Sequence, residues 1–228
     1  MRIAVVLSGT IRFHHKSLST ISFLKQQGHE VDVYIHTWRN VEDTKAQSWS
    51  SHYTPIEPTD ELIRQYNPIE VRYDNWLEMK EVFVAKVEQW RKECGLTTFT
   101  HYGMPGMWYS LMRSFENVRH YEYALIMRLR FDCELLDNIV GNIKPGWNIP
   151  EAVDFGGLSD QVAWYLNDNY SKGVVGNDLE AYFNLYEHMP DLFRMGAEYS
   201  PEHLLKKSFD YHCVTPHRPL FKYTIHDD

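Results

Sequence analysis

Tyr123-Ala124-Leu125-Ile126-Met127 runs directly into Arg128-Leu129-Arg130-Phe131-Asp132, with Glu134 two positions further on. An unbroken apolar run of this length reads as a strand buried on both faces, the kind found in parallel sheets. Such a strand delivers its last residues to the carboxyl edge of the sheet. In open α/β sheets that edge is where ligands bind. Two arginines and two acids crowded there point to a functional cluster, against the alternative of a surface ion-pair network.

Working outward, Ile3-Ala4-Val5-Val6-Leu7 is a second buried run, ended by Ser8-Gly9. A helix is expected from about His14 to Gln27, with Leu18, Ile21 and Leu24 on one side and Gly28 where a C-cap glycine belongs. Val31–Ile35 follows as a strand, closed by His36-Thr37-Trp38. Strand, helix and strand with short links make a βαβ unit. Residues 39–57 are polar and aperiodic and read as a long loop. Thr59 is placed to cap a short helix, Asp60 to Tyr66, stopped by Pro68. Ile69–Tyr73 reads as a strand, Trp76 to Cys94 as a helix ended by Gly95, and Thr97–Gly106 as a loop. An amphipathic helix is expected over about Pro105 to His120, carrying Trp108, Leu111, Met112, Phe115 and Val118 at helical spacing as a core stripe.

Past the central strand, Gly146–Pro150 and Gly156-Gly157 mark turns and Gln161–Tyr165 a short strand. A helix is expected from Asp178 to Met189, capped by Asn177 and followed by Pro190. Ser200-Pro201-Glu202 is a helix start, and that helix carries Leu204, Leu205 and Phe209. Residues 213–226 read as irregular structure with strands. The order of elements indicates an α/β fold with a mostly parallel central sheet flanked by helices and a less regular C-terminal part. One domain is expected over 1–228, with a nucleotide-binding half at about 1–135 and an acceptor half at about 136–228.

The composition, 43% hydrophobic and 24% charged, is that of a globular chain. The formal net charge of −8 argues against nucleic acid as a partner, which requires a basic surface. No run approaches the roughly 18 apolar residues that span a bilayer, so no transmembrane anchor is expected. Three widely spaced cysteines, Cys94, Cys133 and Cys213, suggest neither a zinc site nor a disulfide framework, and the cytoplasm is the simplest compartment, with a peripheral place at the membrane compatible.

Each candidate residue has a chemical reason. Asp132 can hold a divalent metal, Mn²⁺ or Mg²⁺, through hard oxygen ligands. Arg128 and Arg130 can fork onto a phosphate or a carboxylate. In Ser8-Gly9-Thr10-Ile11-Arg12 the glycine lets a ligand approach the backbone, and free N–H groups with Arg12 beyond suit a phosphate or base. Trp38 can stack on a base or sugar, or be core. Gly156-Gly157-Leu158-Ser159-Asp160-Gln161 suits sugar hydroxyls, and Asp160 can act as general base. Glu202 either stabilises its helix dipole or serves as the base. His212, His217 and His226 are further possible metal ligands.

Ser8-Gly9-x-x-Arg12, Tyr34-Ile35-His36-Thr37-Trp38, Tyr123–Asp132 and Ser159-Asp160-Gln161, in that order, resemble a family of glycosyltransferases of surface-glycan (lipopolysaccharide or capsule) biosynthesis. The resemblance covers about residues 1–170. It implies the Rossmann-like GT-A fold, a nucleotide-diphosphate sugar donor, and a glycan or glycolipid acceptor. It puts Ser8, Gly9 and Arg12 in the nucleotide pocket with Thr37 and Trp38 beside it, Asp132 at the metal, and Asp160 facing the donor sugar or acceptor. The sequence departs from the family's D-x-D signature: it reads Asp132-Cys133-Glu134. Two other readings stand beside glycosyl transfer. One is a non-catalytic nucleotide-sugar or glycan-binding module of the same fold, and the other is a nucleotidyltransferase.

Overall fold

The computed structural model describes residues 1–41, 54–96, 103–119, 122–138, 143–151, 157–158, 160–167 and 177–225. Its strands are β1 (Arg2–Ser8), β2 (Glu30–Arg39), β3 (Glu70–Asn75), β4 (Leu125–Leu129), β5 (Glu134–Leu135), β6 (Gly146–Asn148), β7 (Val162–Leu166) and β8 (Tyr223–Thr224). Its α-helices are α1 (His14–Gln26), α2 (Asp60–Arg64), α3 (Trp76–Cys94), α4 (Gly103–Phe115), α5 (Glu180–Phe183), α6 (Leu185–Arg194) and α7 (Pro201–Tyr211).

Six strands form one sheet in the order β3-β2-β1-β4-β7-β6. The first four are mutually parallel, and β7 runs antiparallel to both β4 and β6. The chain is therefore an α/β protein with a mostly parallel central sheet, as its sequence indicates. Alternation along the strands divides the core in two. Ile3, Val5 and Leu7 of β1, with Leu125, Met127 and Leu129 of β4, pack beneath Ile21 and Leu24 of α1 and Leu62 and Ile63 of α2. Ala4, Val6 and Ile126 face the other way, toward apolar residues of α3 to α7. Every side chain of Ile3–Leu7 is fully buried. At about 25 cal/mol per Å² of apolar surface, burying a strand on both faces contributes strongly to stability.

Several local expectations hold. Thr59 caps α2 by accepting the Leu62 N–H at 3.2 Å. Ser200 caps α7 by accepting the His203 N–H at 3.1 Å, with Pro201 in its first turn. α3 spans Trp76–Cys94 and is followed by Gly95 in the left-handed region.

Others are corrected. The central strand starts at Leu125, two residues later than expected, because its register with β1 pairs Ile3 with Leu125 and Leu7 with Leu129. Arg128 is therefore inside the strand. Gly103–Gly106 opens α4 rather than closing a loop, and that helix stops at Phe115. Pro105 is tolerated there because first-turn amides have no intrahelical acceptor. The helix expected over 178–189 breaks at Asn184 into α5 and α6, and Pro190 lies inside α6. The buried stripe of Met189, Leu192 and Phe193 carries that helix past its proline. Gly146–Asn148, expected as a turn, is an edge strand on β7. The tail supplies β8, which pairs with β5. The polar stretch at 42–53, together with Gly156, Ser159 and His226, lies outside the described residues.

Candidate functional site

The parallel strands β1, β2 and β4 all end at one edge of the sheet. β7 begins there, because Val162 pairs with Leu129. Four separate segments therefore meet: Ser8–Arg12 after β1, Thr37–Arg39 at the end of β2, Arg130–Asp132 after β4, and Asp160-Gln161 before β7. A fifth joins them through α7. The Leu158 N–H donates to the Glu202 carbonyl at 3.0 Å. Gly157 lies so close that a Cβ there would stand 2.1 Å from the Glu202 carbonyl carbon and oxygen. Only glycine fits, and it brings the segment carrying Asp160 against the first turn of α7.

At the centre is a fork. Arg130 donates from Nε to one oxygen of Asp132 at 2.9 Å and from a terminal nitrogen to the other at 2.6 Å. The Asp132 side chain is 9% exposed and that of Arg130 29%. Burial works against the Asp132 charge, but Arg130, then Arg12 and Arg128, more than offset it and hold the carboxyl below the usual carboxylate range. Burial likewise opposes the charge on Arg130, and Asp132 and then Asp160 raise its pKa above the ordinary value. Arg12 is shifted down, chiefly by burial, with Arg130 adding to the effect. Arg128 is 1% exposed and donates to the Gln161 carbonyl at 3.4 Å. Glu202 is pushed up, first by burial and then by Asp160, so it holds a proton more readily than a free glutamate.

Whether these residues fit a divalent metal can be read from the same contacts. Both oxygens of Asp132 are taken by Arg130. The described residues contain no cluster of three His, Cys, Asp or Glu side chains able to hold an ion. Glu134 is turned away and accepts from Ser19 on α1 at 2.5 Å. His217 bonds the Pro145 carbonyl at 3.2 Å and ties the tail down. As arranged, the described residues do not form a metal shell.

The turn after β1 is held differently. Gly9 has φ +98°, a conformation other residues adopt only with strain. Its N–H was expected to be free for a phosphate, but it donates to Ser110 Oγ at 2.7 Å and to the His36 carbonyl at 3.2 Å. Its carbonyl accepts from Thr37 Oγ1 at 2.9 Å. Ser110 Oγ lies 2.7 Å from His36 Nδ1, and His36 Nε2 lies 3.0 Å from Asp74. Tyr109 also donates to Asp74, at 3.0 Å. One proton arrangement satisfies every member. Gly9 N–H donates to Ser110, Ser110 O–H donates to His36 Nδ1, and Asp74 accepts from His36 Nε2–H and from Tyr109. Burial holds the His36 pKa down, against the upward pull of Asp74, in keeping with a neutral ring.

Not every expected residue faces this edge. Trp38 is 2% exposed, its ring stacked on Tyr109 and edge-on to Trp76, so it belongs to the aromatic core rather than to a ligand platform. Gln161 Oε1 accepts from Tyr223 at 2.7 Å and links β7 to the tail. Thr10 is half-buried in the turn. Ser110, Asp74 and Tyr109 escape a sequence reading altogether. Ser110 and Ser114 are both buried on the packed face of α4. Two small polar residues four apart beside that apolar stripe were the available signal.

No family model and no curated protein matches the sequence. Similar solved structures include mouse xyloside xylosyltransferase 1 in its apo form, at TM-score 0.42 and 10% identity, covering 96% of this chain and 85% of that one. A glycosyltransferase involved in the glycosylation of the major capsid of PBCV-1 has TM-score 0.39 and 8% identity, covering 97% of this chain and 83% of its own. An active-site mutant of LgtC has TM-score 0.42 and 10% identity, covering 92% and 70% respectively. No described helix is long and apolar enough to cross a membrane.

Proposed function

We propose that the protein transfers a sugar from a nucleotide-diphosphate sugar to a hydroxyl of a glycan or glycolipid. The observation that carries this reading is the fork of Arg130 on Asp132 at the carboxyl edge, with buried Arg128 bonded to the Gln161 carbonyl beside it and Arg12 acting on the same carboxylate. Cations collected at a ligand edge suit a diphosphate, whose leaving-group charge grows in the transition state. Ser8 and the glycine turn line the nucleotide side, and Asp160 and Glu202 the sugar side. The acceptor oxygen bonds to the anomeric carbon as the bond from that carbon to the diphosphate oxygen breaks. The electron pair leaves with the nucleoside diphosphate, and the acceptor proton passes to Glu202. A carboxylate with a raised pKa is the better base for a hydroxyl, which makes Glu202 the first choice and Asp160 the second.

The test is product analysis with UDP-, GDP-, CDP- and dTDP-sugars and glycan acceptors. Release of nucleoside diphosphate with a glycosylated product supports transfer. Glu202→Gln should then lower turnover by roughly a hundredfold or more while nucleotide affinity stays. Binding without turnover on any acceptor would make the protein a sugar-nucleotide-binding module, and release of pyrophosphate from a nucleoside triphosphate incubated with a sugar 1-phosphate would make it a nucleotidyltransferase.

A further inference from the structure

Two polar groups at the carboxyl edge have no hydrogen-bond partner among the described residues. Ser8 is 5% exposed, and its Oγ has no hydrogen bond; Arg128 is 1% exposed, and its Nε has none. They are neighbours by register. Val6 of β1 pairs with Arg128 of β4, and Ser8 stands two residues beyond Val6, so both side chains project from the same face of the sheet. Buried polar groups are rarely left unmet in a folded protein, and one that is needs an explanation. Next to them Arg130 holds both oxygens of Asp132. Asp132 is the carboxylate expected to carry a divalent cation, and the cation it carries here is a guanidinium.

We infer, resting on the glycosyl-transfer reading, that Ser8, Arg128 and Arg130 take up the donor's diphosphate directly, with no divalent metal between protein and phosphate. Arg130 fills the place of the metal: Asp132 orients its fork, and Asp160 adds a second negative charge that favours its cationic form. The Ser8 hydroxyl donates to a phosphate oxygen, and so does Arg128 Nε. Arg12 contributes positive charge at the same place. Guanidinium groups suit this task because they stay charged and bind phosphate oxygens in pairs.

The test is calorimetric titration of the full chain with pyrophosphate and with UDP, GDP, CDP and dTDP, first in excess EDTA and then in saturating MnCl₂. At least one nucleoside diphosphate should bind in EDTA, within about threefold of its affinity in MnCl₂. Arg130→Gln should weaken that binding about tenfold or more. Ser8→Ala removes no protein hydrogen bond, so its fold is safe, and it should weaken binding roughly three- to tenfold. Binding that appears only with MnCl₂ overturns the inference and leaves glycosyl transfer standing. No binding under either condition overturns both. If Arg130→Gln fails to fold, Ser8→Ala decides, and unchanged affinity in that variant overturns the direct contact.

Discussion

At the amino edge of the sheet, Arg2 meets Asp32 at 2.8 Å, Glu122 at 3.0 Å and Glu30 at 3.5 Å, and Asp32 accepts a further bond from Tyr123 at 2.9 Å. At the carboxyl edge three arginines, Arg12, Arg128 and Arg130, act on one carboxylate, Asp132, and Asp160 and Glu202 are the other acids of that edge. The amino edge also holds a hollow of about 440 Å³, lined by Arg2, Asp32, Glu70, Glu122 and Tyr123 among others. A hollow of that volume could hold a small ligand. Charge balance chooses the other edge. Arg2 is already satisfied by acids, whereas Ser8 Oγ and Arg128 Nε at the carboxyl edge have no partner among the described residues. An arginine already shared among several acids has little to offer an anion, and three arginines gathered on one carboxylate have more.

The hardest test of this contrast is Asp132→Asn. It leaves the arginines without their nearest carboxylate. Breaking a buried pair from one side should destabilise the protein on the order of 3 kcal/mol, a fall of roughly 6–12 °C in Tm for a chain of this size. Added pyrophosphate should recover part of that loss, because it supplies the missing negative charge. A melting temperature indifferent to both the substitution and the anion would remove the idea of an arginine cluster open to an anion. Next in size is Gly157→Ala, whose new methyl would collide with the Glu202 backbone. Overpacking of this kind destabilises by about 1–3 kcal/mol. On the proposed reading, turnover should fall more than donor affinity, since Asp160 and Glu202 are pushed apart while the arginines stay. Equal losses in kcat and affinity would place Gly157 in donor binding instead.

The two networks at the carboxyl edge differ in how far the sequence reveals them. The arginine cluster follows from local order, because a strand as apolar as Leu125–Leu129 must be buried and its next residues must emerge at an edge. β1 and β2 are legible for the same reason. The relay of Gly9, Ser110, His36 and Asp74 is not, since its members sit on four elements and meet only when β1, β2, β3 and α4 pack. Trp38 shows the same limit from the other side. A tryptophan at a strand end reads equally as a ligand platform or as core, and only the surrounding Trp76, Phe83 and Tyr109 make it core. The antiparallel part was harder still. β6 has three residues, too few to show a period, and Pro190 looked like a stop until tertiary packing carried α6 past it.

The relay gives a smaller effect with a pH signature. Ser110→Ala leaves His36 Nδ1 buried without a donor and weakens the hold on Gly9, which should destabilise by about 1–2 kcal/mol. The donor KM should rise severalfold with kcat little changed. In the unmodified protein His36 faces Asp74, Tyr109, Arg113 and Arg72, and burial leaves its pKa below the ordinary value. The unfolded chain therefore binds the extra proton first as pH falls through about 6.5. The stability this ring contributes is complete above that pH and is lost progressively below it, toward the folded pKa. Melting curves at stepped pH should show this acid-side fall, and His36→Gln should lessen it. An identical fall in the variant would assign the effect to other groups.

The smallest expected change lies at the amino edge, and it is also the cleanest test of the contrast. Arg2→Ala removes a side chain that is 32% exposed and shared among acids that water can still reach. Exposed ion pairs contribute about 1 kcal/mol or less, and Asp32 keeps its bond from Tyr123. Melting should shift by roughly 2–4 °C at most, and nucleoside-diphosphate affinity and turnover should stay as they were. If instead Arg2→Ala abolished nucleotide binding and Ser8→Ala did not, the hollow at the amino edge would be the ligand site. The cluster of arginines at the other end of β1 would then be structural.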